Sequence, residues 1–536
     1  MNDKINAALL RLTRRAETSE PSVLVSTFVD TGMLQTLLAS HDHQVIYGRR
    51  GTGKTHALLY LSETKRKAGD ISIYIDMRTI GSSVGLLADD TMPLAERATR
   101  LLRDTLTAIH DRLYSLAIEQ ADNLNLGEVG QYLDAFIDSS TETQVIGTAV
   151  HEESTSQGSS QESGSSFSVT ASEKGVSANV SSTTKAGSAD SAQLKFQRSG
   201  QFRHRVRFGA IGQTLGKIAK SISPRRIWLL LDEWSAIPID LQPYLADLIR
   251  RSILPVHGVS AKIAAIEQRS QFHVSGERGD YTGIEVGADV TADLNLDDFM
   301  VFDHDSTRAV AFFRKLIFNH FQAVQAEVAP ELGIASEGDF VRLAFTQRTA
   351  LEEIVRAAEG VPRDAINVLG ICAQKASTNP IAVVHARSAA KVWYQRDKES
   401  AVSANSGAAA LLRWIIDEVI AHRRARAFLV KSGTRDLLID SLFDSRVLHL
   451  LKRNISAQDE PGVRYDAFKI DYGCYVDLLT TAREPQGLLP GGASEASDGG
   501  YVEVPPDDYR AIRRAILDLS LFHQGSQSAG ILKDAV

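Results

Sequence analysis

Apolar positions along the first third of the chain switch between two periods. Residues 44–47 form a short apolar run of strand length, 55–67 carry apolar residues at helical spacing, 71–77 (ISIYIDM) read as a second strand, and 95–118 are again helical. Beyond a long interruption the alternation resumes. Residues 227–231 are a continuous apolar run, 241–253 a helix, 262–266 another buried strand and 293–299 a final one. Strands alternating with helices in this way predict a parallel sheet wrapped by helices. Residues 306–328 and 338–377 then read as helices with little strand potential.

The interruption has its own composition. Residues 152–191 are crowded with serine, threonine and glycine, which reads either as a linker unable to build a core or as an inserted hairpin. The hairpin reading rests on Phe167, Val169, Val176, Ala178 and Val180, which alternate with period two around Glu173 and Gly175. From 191 to 231 there is no acidic residue, while Lys195, Arg198, Arg203, Arg205, Arg207, Lys217, Lys220, Arg225 and Arg226 are interleaved with Phe196, Phe202 and Phe208. Such a run is either a solvated face or a patch that tracks phosphates. Near the C-terminus the pattern predicts a helix over 408–422, a strand over 427–430 and helices over 434–442 and 444–454. A two-stranded wing follows over 463–476, through Tyr465, Phe468 and Tyr472, and the tail after 525 reads as frayed.

Bulk properties narrow the class. With 536 residues the chain predicts two or three domains, and 43% hydrophobic and 23% charged residues lie in the ordinary globular range. A formal charge of −7 argues against a protein that coats nucleic acid along its whole surface, and leaves local basic patches open. Cys372 and Cys474 are the only cysteines, too few for a disulfide framework or a cysteine-based zinc site. The 14 histidines are scattered, and His41 and His43 are too isolated to suggest a metal site. No apolar run approaches the roughly 18 residues that span a bilayer, and the first 17 residues lack a signal-like apolar stretch. The expectation is a cytoplasmic protein with no membrane partner.

The chemistry is concentrated in one octapeptide. Gly48, Arg49, Arg50, Gly51, Thr52, Gly53, Lys54 and Thr55 match the phosphate-loop pattern G-x-x-x-x-G-K-[ST] without departure, between an apolar strand and a helix that begins with His56. In such a loop the glycines let successive backbone N–H groups converge on a phosphate. The lysine reaches the β- and γ-phosphate oxygens, and the threonine hydroxyl ligates Mg2+. The helix start adds its positive end to the anion site. Asp232 and Glu233 follow the apolar run 227–231; the first would hold Mg2+ through water and the second would polarise an attacking water. Glu267 and Gln268 stand at the tip of strand 262–266 and are candidates to orient that water, or an ordinary polar strand end. Arg363, in Gly360-Val361-Pro362-Arg363, opens a helix with proline at its first turn; it would swing onto the γ-phosphate, or lie on the surface.

The order of phosphate loop, long gap, LLLDE, polar strand tip and G-x-P-R in a helical segment resembles the AAA+ ATPases. Within them it is most similar to the initiator group of origin-recognition ATPases and their bacterial relatives. The resemblance runs over 23–390. It implies an α/β fold: an N-terminal helical segment (1–22), a parallel-sheet P-loop AAA+ core (23–303) with a Ser-rich and basic insertion at about 145–210, and an α-helical lid (304–400). The C-terminal order (405–524, before a tail at 525–536) looks like a winged helix, with Arg446, His449, Lys452 and Arg453 on a recognition helix placed for DNA or for protein contacts. The resemblance also implies ATP with Mg2+ in a cleft beneath the lid, and homo-oligomers in which a neighbour's arginine completes the site. Arg269 and Arg278 are candidates for that arginine, with Arg250 and Arg251 as rivals. The family has asparagine, serine or threonine at the strand tip where Glu267 and Gln268 stand, and the insertion before Asp232 is longer than usual. Two functions follow as expectations: a hydrolytic switch or motor on DNA, or a signalling and assembly ATPase of a mobile-element or anti-phage system acting on a partner effector protein.

Overall fold

The computed structural model describes residues 1–30, 33–81, 92–119, 125–141, 143–146, 149–150, 170–172, 175–176, 197–198, 201–204, 206–276, 279–297, 306–423, 425–434, 436–456, 462–480 and 515–528. Most of the Ser-rich segment, Lys195, Arg205 and Arg278 fall outside them. Thr143–Ile146 and Gln201–His204 pair antiparallel at the two ends of the insertion, and Thr170–Ser172 pairs with Gly175–Val176.

Five strands form the main sheet: β1 (Gln44–Tyr47), β2 (Ile71–Asp76), β3 (Ile227–Asp232), β4 (Val259–Ala265) and β5 (Thr291–Asn295). Their order is β5-β1-β4-β3-β2, all parallel. Strands β3 and β4 are buried along their whole length, which is why they read as unbroken apolar runs. Period two divides their side chains between two cores. Ile227, Leu229 and Leu231 face one layer with Val45 and Ile263, whereas Trp228 and Leu230 face the other with Ile46, Ala264 and Leu58. Helix Lys54–Lys67 covers the second layer; helices Leu94–Glu119, Leu126–Thr141, Phe208–Ser221 and Gln242–Ser252 cover the first. Register aligns Asp76 with Asp232 and Tyr47 with Ala265, so the chain leaves β1, β2, β3 and β4 at one edge. Ligands of open parallel sheets sit outside those carboxyl ends.

Helices Ser306–Val328, Glu337–Ala344, Arg348–Ala358, Pro362–Ala376 and Val383–Trp393 build a separate helical core. The N-terminal helix Asn2–Leu10 belongs to that core through Ile5, Ala8 and Leu9, and Asn6 Nδ2 donates to Ser377 O at 2.7 Å. The sequence pattern placed this segment apart from the lid; its apolar face is finished by the lid helices.

The C-terminal region holds a three-stranded antiparallel sheet, β6 (Ala427–Lys431), β7 (Leu448–Ser456) and β8 (Arg464–Ile470), in the order β6-β8-β7. Helices Ser406–Ile415, Leu437–Asp444 and Tyr472–Thr480 pack on it. The helix expected over 444–454 does not exist: most of that stretch is β7. A short apolar run is ambiguous between helix and strand, and pairing with β8 decides it. Leu448 then faces one core and Leu451 another, with an irregularity of register between Leu450 and Lys452. The expected wing is likewise one strand, β8, followed by the helix from Tyr472. No helix among the described residues is long and apolar enough to cross a membrane.

Candidate nucleotide site

The phosphate loop leaves β1 and enters helix Lys54–Lys67 through Gly53, which holds φ 97° at the N-cap, a left-handed conformation that glycine adopts without strain. Gly51, at φ 88°, lies against the lid: a Cβ there would meet Arg363 Cβ and Val361 Cγ1 at 3.0 Å. Arg363 N–H also donates to Gly51 O at 3.2 Å. Lys54 Nζ donates to Gly48 O (2.7 Å) and Arg49 O (2.9 Å), so the ammonium rests on the loop's own carbonyls. Burial pushes the Lys54 pKa down, against the opposing charges of Glu233, Asp297 and Asp232.

At the end of β3, Asp232 is fully buried and accepts from Tyr74 Oη on β2 at 2.8 Å. Its other oxygen accepts from the Glu233 backbone N–H at 2.8 Å. Burial and the neighbouring Asp232 raise the Tyr74 pKa, so the phenol keeps its proton and donates. Glu233 holds a left-handed φ of 54°, costly for a residue with a side chain. It lines the loop cavity, a space of about 400 Å3 beside the phosphate loop.

That cavity collects the loop (Arg50, Gly51, Gly53, Lys54, Thr55, His56), Glu233, and Pro362 and Arg363 of the lid. The sequence-predicted Gly48, Arg49, Thr52 and Asp232 are not part of this lining; Gly48 and Arg49 line a smaller cavity instead. Residues without a sequence signal complete it: Arg14, Arg15, Glu17 and Leu24 from the N-terminal segment, Arg78 just past β2, and Leu316 and His320 of the lid. Arg78 is the one with a readable hint, being a cation beyond the carboxyl end of a parallel strand. It is held by Asp76 (2.6 Å) and Glu17 (3.3 Å). Six cations (Arg14, Arg15, Arg50, Lys54, Arg78, Arg363) thus face two carboxylates (Glu17, Glu233), a balance that fits a polyphosphate with a divalent cation. No cluster of three acidic, histidine or cysteine ligands occurs among the described residues.

Other candidates lie elsewhere. Glu267 accepts from Arg453 (2.5 and 2.8 Å), and with Gln268 it lines a cavity of about 30 Å3 shared with Arg49, Asp297 and Lys452. Neither side chain lines the loop cavity. Arg269 is paired with Asp444. Arg250 is held by Asp247 (2.8 Å) and Tyr281 (3.0 Å), and Arg251 by Asp247 (2.7 Å). Of the residues expected on a recognition helix, Arg446 and His449 turn inward, whereas Lys452 and Arg453 are exposed on β7. Arg446, at φ 60°, pairs with Asp364 (3.4 Å) and Asp397; His449 is buried against Arg49; Arg453 meets Glu267. The strand in place of the helix removes the geometry on which their reading as DNA contacts depended.

A phosphate-loop motif at the end of β1, separated by β4 from an acidic pair at the end of β3, on a five-stranded parallel sheet, fits an AAA+ core. Residues 12–76, which include the loop, match the ORC-CDC6-like family model. No curated protein sequence matches the chain. Among solved structures it is similar to the crystal structure of Cdc6p from Pyrobaculum aerophilum, with 12% identity, 86% of this chain and 97% of that chain covered, and a TM-score of 0.32. It is similar also to the Aeropyrum pernix Orc1 protein in complex with DNA, with 12% identity, 86% and 96% coverage and a TM-score of 0.30.

Proposed function

We propose that this chain binds ATP with Mg2+ and hydrolyses it, as a nucleotide-dependent AAA+ switch. The observation that carries the reading is the single cavity that brings together Lys54 and Thr55 of the loop, Glu233 beyond β3 and Arg363 of the lid. Lys54 would exchange the carbonyls of Gly48 and Arg49 for β- and γ-phosphate oxygens. Thr55 and, through water, Asp232 would hold Mg2+. Glu233 would polarise the attacking water and Arg363 would meet the γ-phosphate. Lys54→Ala is expected to abolish binding of a fluorescent ATP analogue, and Glu233→Gln to bind ATP while releasing almost no phosphate. Unchanged binding by Lys54→Ala would overturn the site.

For the target, the buried engagement of Arg446 and His449 withdraws two of the four residues expected to meet DNA and supports a partner effector protein or a homo-oligomer, while Lys452 and Arg453 stay exposed on β7. In an oligomer, Arg269, Arg250 or Arg251 would exchange its present carboxylate for a neighbour's phosphate. Sizing with and without ATP tests assembly. The DNA reading rests on the basic stretch around Lys217, Lys220, Arg225 and Arg226; DNA-stimulated phosphate release that falls steeply with salt would restore it.

A further inference from the structure

Arg49 occupies a variable position of the phosphate loop, yet it is only 3% exposed. Asp297 accepts from its backbone N–H (2.8 Å) and from its Nε (2.7 Å). Nη2 donates to Glu359 O at 3.3 Å, and the guanidinium lies 5.1 Å from the centre of the Phe443 ring. Nη1 donates to His449 Nδ1 at 2.5 Å. A guanidinium can only donate, so Nδ1 must be the bare nitrogen and the imidazole proton sits on Nε2, where it donates to Asp471 Oδ2 at 3.1 Å. Burial drives the His449 pKa well below its ordinary value, in keeping with that neutral tautomer. Asp471 is fixed in turn by Lys398 Nζ at 2.5 Å, and Lys398 also reaches Asp364, beside Arg363, at 3.2 Å.

The carbonyls that hold Lys54 are those of Gly48 and Arg49 themselves. Whatever fixes the Arg49 side chain therefore fixes the platform from which Lys54 departs to meet phosphate. We propose that His449 is a positioning residue of the nucleotide site: acting through Arg49, the C-terminal strand β7 holds the phosphate loop in its binding shape. This rests on the reading of the loop as an ATP site. By reciprocity, nucleotide in the loop must also be felt at β7.

Two conservative replacements separate the two sides of the ring. Asparagine keeps an acceptor near the Nδ1 position, whereas glutamine reaches the Nε2 position and Asp471 but leaves Arg49 without that acceptor. His449→Gln is expected to raise the KM and Kd for ATP about tenfold, equal to about 1.4 kcal/mol, with kcat within about threefold of the parent, as lost uniform binding requires. His449→Asn is expected to restore both constants. A merely structural role would lower the Tm of both variants and leave KM of the folded protein unchanged; a folded His449→Gln with the parent KM overturns the proposal. If His449→Gln does not fold, amide hydrogen exchange on the parent decides. A non-hydrolysable ATP analogue must change exchange within Leu448–Ser456, and no change there overturns the proposal. If the parent binds no ATP, or Lys54→Ala binds it as the parent does, it is the nucleotide reading that fails.

Discussion

At the scale of single residues, the site is defined by groups placed where their charge is costly. His320 on helix Ser306–Val328 lines the loop cavity, and burial, helped by the nearby His56, lowers its pKa to about 4. Its folded pKa lies below the unfolded value of 6.5, so above about pH 6.5 both states are neutral and stability is complete. As pH falls from 6.5 towards 4 the unfolded chain takes up a proton that the folded chain refuses, and stability declines; below about 4 both are protonated and the loss levels off. His320→Leu should flatten this slope. The difference in unfolding free energy between pH 7 and pH 4.5 should shrink by about 2 kcal/mol relative to the parent. Urea unfolding at the two pH values checks this, and parallel slopes would place the acid sensitivity elsewhere. Legibility at this scale was uneven. Lys54, Thr55, Asp232 and Glu233 could be named as candidates because the chemistry they would carry is tied to a local spacing. Arg14, Arg15 and His320 could not, because only the folded chain brings 14 and 320 to one cavity, and Arg78 offered only its place beyond the end of a strand.

At the scale of elements, the sheet was legible and the C-terminal region was half so. Strands β3 and β4 announce themselves because both faces are buried, and helix Ser306–Val328 because its apolar stripe persists over many turns. Strand β7 was misread as a helix because Val447 to Leu451 carries no period of its own; only its ladder with β8 selects the strand. The contact between loop and lid was not legible either, though it gives Gly51 two separate roles. Gly51→Ala would strain a left-handed φ by about 1–2 kcal/mol and also press a Cβ against Arg363 and Val361. Gly53→Ala carries the same kind of backbone strain, but a Cβ there meets nothing within 4 Å. Both variants should therefore lose similar stability, while Gly51→Ala alone displaces the lid and weakens ATP binding by roughly a further tenfold (about 1.4 kcal/mol). Titration with a fluorescent analogue distinguishes them, and equal affinities would remove the lid contact from the account.

At the scale of the whole molecule, the question is what couples the C-terminal sheet to the parallel-sheet core and to the helices between 306 and 393. Surface pairs such as Arg453–Glu267 and Arg269–Asp444 cross that boundary, but exposed ion pairs contribute about 0–1 kcal/mol. Glu359 is different. It sits buried at the left-handed turn between helices Arg348–Ala358 and Pro362–Ala376, φ 50°, and its carboxylate is shared by Arg426, just before β6, and by Lys469 on β8 at 2.6 Å. The same turn supplies the carbonyl that meets Arg49. Removing this carboxylate takes the shared counter-charge from two cations packed against the lid, a change that costs about 3–5 kcal/mol when a buried pair is broken from one side. Glu359→Ala should therefore uncouple the two parts. Its urea transition should broaden or split, the C-terminal region unfolding before the nucleotide core, whereas Glu267→Gln should unfold in one transition within about 1 kcal/mol of the parent. A single, unshifted transition for Glu359→Ala would mean that the apolar contacts of Tyr472 and Val476 with the lid helices, rather than the charges, join the domains. The core and the C-terminal sheet would then respond to nucleotide as one packed body.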